Sequence, residues 1–142
     1  DPAAVVLPRS EGPAFSGGTE PILLVEDEPA VRFMIETVLL QRGYRVHTAE
    51  NGVAALQLWR ERSAEIDLLL TDVVMPDKIT GKELAERLVR EKTALRVIYM
   101  SGYNQEFTGS NLLQEGENYL AKPFGAGQLL EALRASLDAR AA

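Results

Sequence analysis

Pro21-Ile22-Leu23-Leu24-Val25-Glu26-Asp27-Glu28-Pro29 decides the fold. Its apolar run Ile22 to Val25 has no polar alternation, which is the pattern of a strand covered on both faces, as in a parallel sheet. The run stops at two carboxylates, Glu26 and Asp27. Pro29 then suits the first turn of a helix whose Val31, Met34, Ile35, Val38 and Leu39 fall at i, i+3, i+4, i+7 and i+8. Gly43 ends that helix.

The same rhythm continues toward the C-terminus. Arg45 to Ala49 is a second strand, and Asn51 caps a helix through Arg62 whose inward face holds Val53, Leu56 and either Trp59 or Leu58. Leu68-Leu69-Leu70-Thr71 is a third strand ending at Asp72. After a loop through Pro76 and Gly81, a helix from Lys82 to Arg90 carries Leu84, Ala85 and Leu88 on one stripe. Val97-Ile98-Tyr99-Met100 is a fourth strand, ending at Ser101-Gly102. Gly109 and Gly116 interrupt the helix expected in Asn104 to Glu117, whose apolar face is only Leu112 and Leu113. Asn118 to Ala121 is a fifth strand before Lys122-Pro123, and Gln128 to Leu137 a closing helix. Five βα units joined by right-handed crossovers predict a doubly wound, five-stranded parallel sheet in a three-layer α/β/α sandwich.

Upstream of Pro21 the pattern is absent. Pro2, Pro8, Gly12, Pro13, Gly17 and Gly18 crowd residues 1–20, which are expected to be a flexible tail or interdomain linker before one domain at 21–142. A chain of 142 residues, 46% hydrophobic, suits a single core. Ala3 to Leu7 is too short to span a bilayer and lacks a basic flank, so no membrane contact is expected. A net charge of −6, with basic residues such as Arg87, Arg90 and Lys92 interleaved among acids, argues against a nucleic-acid partner. Absence of cysteine excludes thiolate metal sites and thiol nucleophiles and fits the reducing cytoplasm. His47, the single histidine, is expected at a strand edge and not on a metal.

In an open parallel sheet the working crevice lies at the carboxyl ends of the strands, where strand order reverses. Glu26 and Asp27 follow the first strand, Asp72 the third, Ser101 the fourth and Lys122 the fifth. A lone Asp at a strand end is more often a cap than a catalyst. Their joint placement is the signal. Converging carboxylates raise one another's pKa unless a cation offsets them, and Mg²⁺, a hard ion taking oxygen ligands, suits the set. A carboxylate so placed can attack phosphorus to form an acyl phosphate, with Lys122 and the Ser101 hydroxyl meeting the charge on the transferred group.

Leu24-Val25-Glu26-Asp27-Glu28, Asp72-Val73-Val74-Met75-Pro76, Ser101-Gly102 and Lys122-Pro123-Phe124 resemble, in order, the signatures of bacterial two-component receiver domains over Pro21 to about Leu137. The resemblance implies a flavodoxin-like sheet with strand order 2-1-3-4-5 and phosphorylation of Asp72 by a histidine kinase or histidine phosphotransfer domain. It implies Mg²⁺ held by Asp27, Asp72 and the Val74 main-chain carbonyl, with Glu26 acting through water. Lys122 would contact the phosphoryl group, Ser101 follow it on switching, and Tyr119 report the switch by rotating; from its residues alone, Tyr119 is equally a half-buried strand residue. The loop Asp77 to Gly81 is one residue longer than the commonest receiver form, a variant associated with receivers attached to hybrid sensor kinases. That loop and the linker-like lead favour such a parent, itself a histidine kinase, over a free-standing regulator. The gapped helix at 104–117 leaves the mode of dimerisation open.

Val74 and Tyr103 flank the expected path of the hydrolytic water and offer it no orienting amide or acid, which predicts a long-lived phosphorylated state. A competing reading is a Mg²⁺-dependent phosphohydrolase of small phosphoesters. Haloacid-dehalogenase-type phosphatases want an acid two residues after the nucleophile, whereas Pro29 and Val74 stand there. A receiver-like module without phosphorylation would lack one of the acids or the lysine.

Overall fold

A computed structural model describes residues 17–73, 79–101 and 119–138. Five parallel strands run β1 (Pro21–Val25), β2 (Arg45–Ala49), β3 (Leu68–Asp72), β4 (Arg96–Ser101) and β5 (Tyr119–Ala121). They lie in the order β2-β1-β3-β4-β5. Four helices are described: α1 (Pro29–Gln41), α2 (Gly52–Arg62), α3 (Gly81–Glu91) and α4 (Ala126–Asp138). The expected helix at 104–117 lies outside the described residues.

Because side chains alternate across a strand, the unbroken apolar run of β1 feeds two cores. Ile22 and Leu24 join Ile35 and Leu39 of α1 and Leu129, Leu130, Leu133 and Leu137 of α4. Leu23 and Val25 point the other way, into Ala55 and Trp59 of α2 and Leu84 and Leu88 of α3. Two helices therefore cover each face, giving the doubly wound sandwich. Polar clasps tie the layers at their rims: Trp59 Nε1 donates to Glu91 Oε1 at 2.7 Å, and Arg134 of α4 grips Glu20 ahead of β1 at 3.0 and 3.2 Å.

Two expected core positions are instead exposed. Met34 is 47% and Val53 55% accessible. On α1 the buried stripe narrows to Ile35 and Leu39, flanked by Val31 and Val38, which rotates Met34 outward with Phe33. On α2 the inward residues are Gly52, Ala55 and Trp59, small near the N-terminus because the helix approaches the loop before α3 closely. A Cβ on Gly52 would stand 2.8 Å from that of Ile79. The Asn51 cap forms as expected, its side chain accepting from the Ala54 N–H at 2.8 Å. His47 lies on edge strand β2, 3.9 Å from Glu65.

The start of α3 is doubly determined. Thr80 and Glu83 form a reciprocal capping box, and the N–H of Gly81 donates to the Val73 carbonyl at 2.8 Å. A Cβ at Gly81 would stand 1.7 Å from the Asp72 carbonyl oxygen, so only glycine lets the helix begin against the end of β3. Thr80→Ala should cost about 1 kcal/mol, the usual worth of a cap. Gly81→Ala should cost about 2 kcal/mol or more, because backbone must move to admit the methyl group. Urea unfolding of both variants measures the difference; equal losses would mean that the loop before α3 yields freely.

Candidate functional site

The sheet order reverses between β1 and β3, since the chain goes out from β1 to β2 and returns to the other side of β1. Glu26 and Asp27 leave the end of β1 at that crevice, and Asp72 ends β3 beside them. One carboxylate oxygen from each of these residues lies within 4.8 Å of the others. Among the described residues no other group of three His, Cys, Asp or Glu could hold a metal.

Lys122 enters from the far side. Its backbone N–H donates to the Ser101 carbonyl at 2.8 Å, which aligns the end of β5 with that of β4. A cis Lys122-Pro123 peptide follows. The ammonium then lies 3.0 Å from Glu26 Oε1 and 2.8 Å from Asp72 Oδ1. Glu26 is wholly buried, and its second oxygen accepts the Glu28 N–H at 3.2 Å. Asp72 is only 4% exposed, and its Oδ2 is buried without a hydrogen-bond partner.

These contacts leave the pocket short of positive charge. Three carboxylates face a single ammonium. Burial pushes the Asp72 carboxyl up; the Lys122 bond opposes this, but the charge of Glu26 adds to it, and the result is about 7. Burial alone would depress Lys122, yet its bonds to Asp72 and Glu26 outweigh that and hold the ammonium above its ordinary value. A hard divalent cation fits this set: the donors are all oxygen, the missing charge is two, and the orphaned Asp72 Oδ2 is a vacant acceptor. Glu26, Asp27 and Asp72 are the side chains that would hold it.

Of the residues singled out in the sequence, Glu26, Asp27, Asp72 and Lys122 are brought together. Ser101 is buried at the end of β4, in register with Ala121. Tyr119 is half-buried on β5, opposite Tyr99 and two residues before that pair. Val74 and Tyr103 lie outside the described residues. Sequence reasoning missed Gly81 beneath Asp72 and Arg32, whose Nη1 donates to the Glu26 carbonyl at 2.8 Å. A four-residue spacing from the cap Glu28 puts Arg32 over the turn, but only the folded turn reveals the carbonyl it meets.

The raised Asp72 pKa has a signed consequence. Protonation favours the folded state, so this contribution is complete below pH about 4 and lost as pH rises through about 7. Metal-free protein should therefore weaken relative to Asp72→Asn between pH 5 and 8, by on the order of 2 kcal/mol. Urea unfolding in EDTA at the two pH values is the measurement. Parallel pH profiles for the two proteins would contradict the electrostatics drawn above.

The response regulator receiver domain family matches residues 22–134. The sensor kinase CckA of Brucella abortus is 35% identical over 96% of this chain, which spans 14% of that relative. The chemotaxis protein CheY of Bacillus subtilis is 31% identical over 82% of this chain and 97% of its own length. Among solved structures, the receiver domain of the hybrid histidine kinase CckA superposes with a TM-score of 0.69 at 35% identity, covering 82% of this chain and 98% of that one. A receiver protein from Sinorhizobium medicae gives 0.76 at 27% identity, covering 86% and 97%. With its strand order, its acidic crevice and this likeness in agreement, the chain belongs to the response regulator receiver domain family.

Proposed function

We propose that this domain accepts a phosphoryl group on Asp72 from a histidine kinase or histidine phosphotransfer domain, with Mg²⁺ bound by Asp27, Asp72 and the Val74 carbonyl, and Glu26 behind water. The observation that carries the reading is the state of Asp72: buried, one oxygen on Lys122, the other without a partner beside two further acids. A carboxylate oxygen of Asp72 attacks phosphorus while the bond to the donor imidazole nitrogen breaks and its electron pair returns to the ring. Lys122 is near enough to neutralise charge on the incoming oxygens, and burial of the pocket strengthens that attraction. When bound, Mg²⁺ supplies further charge neutralisation at the transferred group. Ser101 would follow the phosphoryl group and Tyr119 turn in response, altering the surface offered to partners.

A phosphohydrolase of small phosphoesters remains the enzyme rival, weakened by the missing acid two residues after either candidate nucleophile. As to the parent, the likeness to CckA and the lengthened loop support the receiver of a cytoplasmic hybrid sensor kinase in a phosphorelay. The likeness to CheY supports the alternative of a free-standing regulator. Among the described residues no helix is long and apolar enough to cross a membrane.

With an acyl-phosphate donor and Mg²⁺, intact mass should rise by one phosphoryl group. Asp72→Asn, or excess EDTA, should abolish the gain, and Lys122→Ala should reduce it by about tenfold or more. An Asp72→Asn protein that still gained a base-labile phosphoryl mass would refute the nucleophile, and steady release of phosphate would favour the hydrolase.

Persistence of the phosphorylated state is the second expectation. Val74→Asn or Tyr103→Glu should speed its decay in Mg²⁺ by about tenfold, since an amide or acid there could hold the attacking water in line. Unchanged or slower decay would place control of water elsewhere.

A further inference from the structure

Glu26 is fastened at every polar atom. Its N–H donates to the Ala49 carbonyl at 3.1 Å, Oε1 accepts from Lys122 and Oε2 from the Glu28 N–H. Its carbonyl accepts from Arg32 Nη1 at 2.8 Å. That carbonyl belongs to the peptide joining Glu26 to Asp27, just past the last residue of β1 and before α1 begins. Neither ladder nor helix determines its direction there. A peptide free to rotate at this point would carry the Asp27 carboxylate with it, toward or away from Asp72. Arg32 is itself well braced: it sits on α1 beside Val31, packed on the core, and its own N–H donates to the Glu28 carbonyl at 2.9 Å.

We propose that Arg32 is a positioning residue for the divalent cation, fixing the Glu26–Asp27 peptide plane so that the Asp27 carboxylate faces Asp72 Oδ2. This rests on the Mg²⁺ reading above and assigns part of the affinity to a residue that need not touch the ion. Outer partners of this kind commonly carry a large share of metal affinity. Electrostatics alone predicts the opposite sign. Deleting a positive charge next to an acidic pocket should tighten cation binding, whereas loss of the strut should weaken it.

The test is Mg²⁺ titration of the whole 142-residue chain by calorimetry, with melting in EDTA as the check on folding. Arg32→Met keeps the stem and removes donors and charge together; its affinity should fall about tenfold. Arg32→Lys keeps the charge and one donor of similar reach, and should recover most of the loss. Arg32→Gln, uncharged and too short for the carbonyl, carries the same expectation as Arg32→Met should that chain fail to fold. Affinity equal to or tighter than wild type in the folded uncharged variant overturns the proposal, as does a Lys variant as weak as the uncharged ones. A wild-type chain that binds no Mg²⁺ overturns the magnesium reading itself and the proposal with it.

Discussion

Three carboxylates held against one ammonium in a largely buried crevice are the constraint on which the structure turns. Water would dissolve the conflict by separating the charges, but the strands that carry Glu26 and Asp72 are adjacent and cannot part without breaking the sheet. Repulsion is therefore built into the fold, and only a proton or a cation relieves it. The same pressure that raises the Asp72 carboxyl to about 7 makes the pocket receptive to positive charge. Asp72 Oδ2, buried without a hydrogen-bond partner, is the atom on which that shortage of positive charge is felt most directly.

Packing elsewhere makes that conflict sustainable. Both faces of the sheet are sealed by helices; the Lys122 N–H ties the end of β5 to that of β4 through the Ser101 carbonyl, and the Gly81 N–H ties the start of α3 to the Val73 carbonyl just past β3. Two close approaches matter most: Gly81 against the Asp72 carbonyl and Gly52 against Ile79. They bring the start of α3 onto the end of β3 and the start of α2 onto Ile79. At Gly81 helix packing and site geometry are coupled, because a side chain added there would press on the Asp72 backbone as well as on the helix.

Much of this was legible beforehand. An apolar run with no alternation can serve only a strand buried on both faces, so Ile22 to Val25 and Leu68 to Leu70 announced a parallel sheet. Acids, a serine and a lysine at successive strand ends announced a crevice, since parallel strands bring their carboxyl ends to one edge. Helix faces were less certain. Met34 and Val53 obey helical spacing, yet lie outside the stripes that the sheet touches, because periodicity gives a face only to within about one residue's rotation.

The order of elements, the cap at Asn51 and the set of side chains able to meet at the strand ends follow from local backbone preferences and a repeating hydrophobic pattern, and are readable along the chain. Which atoms are shared depends instead on how the folded elements meet. Lys122 stands 96 residues from Glu26 in the chain, and its division between Glu26 and Asp72 depends on how two nonadjacent strands end relative to β3. Arg32 on the Glu26 carbonyl and Gly81 beneath the Asp72 carbonyl are contacts to backbone. Every residue has a carbonyl, so the letter at its position says nothing of which way that carbonyl will point.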